Sequence, residues 1–286
     1  MTDTKARHPS SIELERRAFR RQQSVRSVLI AAISTIAFAV VVWLTIINTP
    51  GWSVVQQSFF DPESWVAAWP RVFDGFLLNL RVLAVAAIAV AILGTLIAAI
   101  RTLRGPVFFP LRALAAGYTD LFRGLPLIIV LYLVGFGVPG LGLTAERIPA
   151  EVLGTVALTL TYSAYVSEVI RAGIEAVHPS QRLAARALGL SNARTMRLVV
   201  LPQAFRKVTP ALMNDFVAMQ KDVGLISVLG AVDAVRAAQI ETAKAFDFTP
   251  YVVAGVLFVL LALPMIRLTD WYTARVRQRE QAGAIV

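Results

Sequence analysis

Glu175–Pro210 reads EAVHPSQRLAARALGLSNARTMRLVVLPQAFRKVTP, a polar and basic stretch punctuated by Gly and Pro and lodged between long apolar segments. Two short helices are predicted in it. Ser180 is the expected cap of the first, which sets Leu183, Ala184, Ala187 and Leu188 at helical spacing and Arg182 and Arg186 on another face. Gly189 is expected to close that helix, because a residue without Cβ takes the left-handed conformation at little cost. Ser191 then caps a second helix with an apolar face of Met196, Val199 and Val200, limited by Pro202. Most connections between elements are shorter than this one. By itself the pattern reads as a docking surface on the cytoplasmic side of a membrane.

Working outward, the 286 residues are 57% hydrophobic and 16% charged, with a mean hydropathy of +0.65. That argues against a soluble domain and predicts an all-α, polytopic transmembrane bundle. The net charge of +10 would suit nucleic acid, but the basic residues cluster beside apolar segments. That is the positive-inside pattern, so no nucleic-acid partner is expected. The chain has no Cys and only His8 and His178, which excludes a disulfide, thiol catalysis and a histidine-rich metal centre.

Residues 1–27 form a basic arm, with Arg16, Arg17, Arg20, Arg21 and Arg26 following Glu13 and Glu15. The arm is expected to lie against anionic lipid on the cytoplasmic side. Residues 28–48 read as an anchor span that stays: the apolar run is too long for a cleaved signal peptide, and no small-residue cleavage site follows. Residues 49–75 carry Trp52, Trp65 and Trp69 among Asp61, Glu63 and Asp74 and read as an outer loop. The region 76–270 holds further spans near 76–100, 114–138, 151–170, 209–232 and 248–266, and 271–286 is a basic tail. Arg101, Arg104, Arg112, Arg171, Arg267, Arg275, Arg277 and Arg279 fall at inner ends, while the outer loops are neutral, acidic or mixed in charge. Six spans with both termini cytoplasmic satisfy the charge rule throughout.

The opening stretch resembles the signature loop of the membrane subunits of ATP-driven, binding-protein-dependent importers (ABC permeases of the type I fold). That pattern is Glu-Ala-Ala, three residues, Gly, nine residues, Ile, one residue, Leu-Pro. Here it reads Leu183-Ala184-Ala185, Gly189, Val199 and Leu201-Pro202 with every spacing kept, Leu183 standing for the usual Glu and Val199 for Ile. Over roughly residues 76–270, further strings are similar to the polar amino acid branch. They are YTDLFRGLPLIIVLY from Tyr118, AYVSEVIRAGI from Ala164, LPQAFRKVTPALMNDF from Leu201 and KDVGL from Lys221. The resemblance implies an inner-membrane permease for amino acids. Its implied partners are a second permease chain, ATP-binding cassette subunits on the docking loop and a periplasmic binding protein. It also implies coupling roles for Arg182, Ala184, Ala185, Arg186, Gly189, Leu201 and Pro202. The chain has no G-x-x-x-x-G-K-[ST], so it needs no cofactor of its own and ATP is bound by the partners.

Five residues are candidates for the substrate pathway. Glu168 sits in an otherwise apolar or weakly polar span, where a carboxylate is costly unless paired or wetted. It either pairs with Arg171 or Arg123, or faces the path. Asp120 and Arg123, three apart on one helix face, either pair or line the path. Asn79 lines the path or bonds a neighbouring helix, and Tyr165 is a further candidate whose bland role is packing. Asp215 and Asp222, seven apart on one face, are read as interhelical structure. Tyr162, Gly154, Ala157, Ser163 and Ala164 suit close helix packing. An importer of the same architecture for an opine or polyamine is the alternative, and a membrane scaffold or sensor without transport is a further one. A membrane-embedded enzyme would need a cluster of catalytic side chains that the sequence lacks.

Overall fold

The computed structural model describes residues 11–103, 105–142 and 148–283. Arg104, the first ten residues of the basic arm and residues 143–147 and 284–286 lie outside the described residues, as do the side chains of Arg17, Arg21, Arg277 and Arg279. The described residues form helices and no strands. Two compact units divide the chain, one ending at Gln57 and the other beginning at Ser58. The first contains α1, Ser11–Ile47, one unbroken helix that joins the end of the basic arm to the anchor segment.

The second unit is built on α3, Pro62–Thr102, which follows the short α2, Trp52–Phe59. Asp61 caps α3 by accepting a hydrogen bond from the Ser64 amide at 2.8 Å, and Pro62 opens the first turn, where its missing N–H costs nothing. The helix thus takes in part of the expected outer loop. Along α3, Ala86, Val90, Gly94 and Ala98 recur every fourth residue and are buried. They lie on the helix that packs most closely on α6, Ala150–Glu175, where Ala157, Thr161 and Ala164 are buried in turn. Between spans there is no water to expel, so association rests on close packing, and small residues permit it. A Cβ at Gly94 would lie 2.8 Å from Val166 Cγ1.

α4, Phe109–Gly124, and α5, Leu127–Gly140, were expected as one straight span over 114–138. They are instead bent by 108°. Leu125 precedes a proline and is extended (φ −88°, ψ 134°), and Pro126 has no N–H to continue the ladder. α9, Leu201–Asp222, passes through a 3₁₀ turn, Val223–Leu229, into α10, Ala234–Ala245, at 53°. α11, Thr249–Gly283, runs on through the expected tail. The six expected spans correspond to four continuous helical stretches long and apolar enough to cross a membrane, plus the two bent pairs.

The core has three parts. The central one joins Leu83 and Val90 of α3, Leu131 of α5, Leu158 and Tyr162 of α6, and Met219 and Ile226 from α9 and its 3₁₀ extension. A second packs Val72 and Phe76 against Ala237 of α10 and Val253 and Leu257 of α11. The third closes the end nearest the docking loop, with Ala98, Ile170, Ile174, Val177, Val200 and Ala204.

Candidate functional site

The docking stretch folds as two short helices, with two differences from its expected details. α7, Pro179–Ala187, is capped by His178 rather than Ser180: the imidazole Nδ1 accepts from the Ser180 amide at 3.2 Å. Pro179 occupies the first turn, which moves the cap upstream. Gly189 adopts φ +82°, its amide bonds the Arg186 carbonyl, and the Leu190 amide reaches back to Ala185. That is a left-handed helix stop of the kind glycine favours. Ser191 caps α8, Asn192–Thr195, at 3.3 Å from the Arg194 amide.

Pro202, expected to end the second helix, lies inside a continuous one. A π turn at Met196–Val200 links α8 to α9, with the Leu201 amide bonding the Met196 carbonyl five residues back. An ordinary α turn would press the proline ring on the carbonyl four residues back, and the wider turn relieves it. The apolar residues of α7 divide between two sides. Ala185 is buried, whereas Leu183 and Leu188 point away from the bundle, 69% and 84% exposed. Arg182 donates to the Ile174 carbonyl at 2.5 Å and Lys207 to the Ala176 carbonyl at 2.7 Å, tying the loop to the end of α6. Arg186 bonds the Leu190 carbonyl at 2.9 Å.

Glu168 holds two arginines. Its Oε2 accepts from Arg101 at 2.6 Å and from Arg171 Nε at 3.1 Å, while Oε1 meets Arg171 Nη2 at 2.5 Å. Arg171 also reaches Glu175 at 2.5 Å. Arg123 takes no part in this chain of charges. Both carboxylate oxygens are bonded within the protein, so of the two expected arrangements the structure shows the pairing with Arg171, with Arg101 in place of Arg123. Asn79 is fully buried and bonds its neighbours instead of opening to a path. Its amide donates to the Val223 carbonyl at 3.1 Å and to Asp233 at 3.0 Å, and accepts from the Ala234 amide at 3.0 Å. These bonds pin the start of α10 on α3.

Among the described residues Asp120 and Arg123 form no ion pair, and both are exposed. The Arg123 guanidinium instead lies 6.0 Å from the Tyr165 ring centroid, and the Tyr165 hydroxyl donates to the Arg123 carbonyl at 3.4 Å. Three apart on a helix brings the two side chains near each other but does not make them turn inward.

The polar group that sequence reasoning assigned to helix packing is the unusual one. Asp215 on α9 has one carboxylate oxygen buried without a hydrogen-bond partner. It lines a cavity of about 250 Å³ with Val90 and Thr95 of α3, Tyr162 and Val166 of α6, and Met219 of α9. One turn pair along, the Tyr162 hydroxyl donates to Asp222 at 2.7 Å. Two acids on one face of the least apolar span were the signal available in sequence. Among the described residues no group of three or more His, Cys, Asp or Glu gathers as for a metal.

A helical bundle with two bent helix pairs and a helix-Gly-helix insert fits a polytopic membrane subunit. Residues 92–278 match the family described as binding-protein-dependent transport system inner membrane component, and the chain belongs to it. It is 36% identical over 205 residues to the arginine transport system permease protein ArtQ of Bacillus subtilis, covering 71% of this chain and 91% of ArtQ. It is 34% identical over 184 residues to the glutamate/aspartate import permease GltK of Escherichia coli O157:H7, covering 63% and 81%. A crystal structure of an amino acid ABC transporter with histidines superposes with a TM-score of 0.68 at 34% identity, over 75% of this chain and 98% of that one. The MetNI methionine transporter shares the fold at 18% identity and a TM-score of 0.53.

Proposed function

We propose that this chain is the translocating subunit of an ATP-driven importer that carries amino acids across the bacterial inner membrane. The observation that carries the substrate class is Asp215, a carboxylate with an unpartnered buried oxygen facing a cavity between α3, α6 and α9. A buried anion without a donor is costly, and a substrate ammonium or guanidinium supplies the donor. Asp222, held by Tyr162, adds a second negative group on the same helix. The relatives named for arginine, for glutamate and aspartate, and for histidines share an α-ammonium group among their solutes, which supports the reading.

The energy comes from separate ATP-binding subunits seated on α7 and α8, and the exposed Leu183 and Leu188 beside Arg186 suit such a protein contact. Arg182 and Lys207 tie the loop to α6, so closure of the ATPases moves α7, α8 and the spans together and biases inward- against outward-open states. A second permease chain completes the path, and a binding protein delivers substrate from outside. Both termini are cytoplasmic, and the chain carries no nucleotide site or cofactor of its own. The test is ATP hydrolysis by the complex reconstituted in vesicles with its ATPase and binding protein. Amino acids should stimulate it several-fold, and opines and polyamines should leave it basal. Stimulation by a polyamine or opine alone, or an ATPase that does not bind the chain, overturns this reading.

A further inference from the structure

A second concavity, apart from the cavity at Asp215, lies between α3 and α6 and encloses about 620 Å³. Leu78, Val82 and Val85 of α3 and Val152, Val156 and Leu160 of α6 form its walls. Thr155 and Thr159 also line it, but their hydroxyls donate to carbonyls of their own helix at 2.6 and 2.8 Å. Neither seeks a partner in the groove, so its length suits hydrocarbon.

Its two charged residues, Arg81 and Glu151, fall at one end. α3 and α6 run in the same direction, since Gly94 packs on Ser163 and Val166, and Arg101 on Glu168. Arg81 is therefore level with the first turn of α6, where Glu151 stands, and the apolar walls extend about 12 Å beyond it to Ala89. Among the described residues neither Arg81 nor Glu151 forms an ion pair. An arginine in an apolar span without a partner calls for one.

One polar end bearing both signs, followed by an apolar trough, is the shape of a zwitterionic amphiphile. We infer that the groove binds a phospholipid of the phosphoethanolamine type, phosphate on Arg81, headgroup ammonium on Glu151 and an acyl chain along the valines and leucines. A guanidinium fork matches phosphate oxygens, and a primary ammonium donates to a carboxylate. A phosphoglycerol headgroup brings no cation to Glu151, and a quaternary phosphocholine has no N–H to donate. A second copy of the chain, offering its own Arg81 and Glu151 at the same level, is the competing occupant.

The test is lipid retention by the purified chain, read by native mass spectrometry after extraction from mixed vesicles of the three headgroups. Phosphatidylethanolamine should be retained about tenfold over the other two, equivalent to about 1.4 kcal/mol. Arg81→Met should remove retention of all three, and Glu151→Gln should level phosphatidylethanolamine with phosphatidylcholine. Both side chains are outside the core and the Asp215 cavity, so each variant should keep the wild-type thermal midpoint. Retention that ignores headgroup, or that survives Arg81→Met, overturns the proposal. So does disulfide formation between two copies of a Val85→Cys chain in membranes, which would make the groove an interface between copies.

Discussion

Glu168 on α6 and Asp215 on α9 both sit in membrane-spanning helices, and the chain treats them in opposite ways. Glu168 has three hydrogen bonds from two arginines, Arg101 and Arg171. Asp215 has a buried oxygen with none. Bringing a carboxylate into a bundle requires compensating cations or donors. Where the chain supplies them, the acid fastens α6 to the end of α3. Where it does not, one oxygen is buried without a donor, and the proposed substrate cation would supply it. Carboxylates of one kind thus differ in their partners within the chain, and only those partners tell them apart.

Removing the charge of Glu168 should have the largest effect. Glu168→Gln leaves Arg101 without its anion and Arg171 with Glu175 alone, and because these groups are partly exposed the loss should fall at or below the low end of the about 3–5 kcal/mol of a buried pair. The thermal midpoint of the purified complex should fall steeply, and the double variant Glu168→Gln/Arg101→Met should recover part of the loss. A single variant as stable as the wild type would erase the contrast between the two acids.

Asp215→Asn should do the reverse, leaving the complex as stable as the wild type or more so, because an uncompensated anion is removed. Its cost should fall on substrate. A charged hydrogen bond contributes about 1.5–3 kcal/mol, so the amino acid concentration giving half-maximal ATP hydrolysis should rise about 10- to 100-fold. An unchanged concentration dependence would make Asp215 another structural acid.

The smallest effect belongs to Asp247, a carboxylate between α10 and α11, outside the spans. Burial pushes it up, but hydrogen bonds from Ser64 and from the amide and hydroxyl of Thr249 outweigh burial and hold it below the ordinary aspartate range. Its stabilisation is therefore present above the unfolded value, about 3.9, and is lost as pH falls through the lower folded value. Asp247→Asn should flatten the acid limb of the stability–pH curve slightly below pH of about 4, measured by thermal midpoint. An identical acid limb in the variant would show that its bonds to Thr249 add nothing.

What residue order alone determined is the part governed by short-range rules. Composition set the all-α membrane class. The left-handed stop at Gly189 and the Ser191 cap follow from local backbone sterics and one side-chain oxygen, so both were legible. The arginine distribution and the long-range signature located the docking loop. Partners across the bundle were not legible. Arg101 is 67 residues from Glu168 and Asn79 is 154 from Asp233, and no periodicity links such positions. Pro126 marked where the 108° break falls, but its angle needed the packed geometry, since a proline interrupts a helix without setting the direction of the next one. The outward turn of Leu183 and Leu188 was hidden for a related reason: helical spacing fixes which residues share a face, and tertiary packing decides which way that face points. Asp215 shows the same limit, because only the packing of α3 and α6 against α9 decides which groups reach its carboxylate.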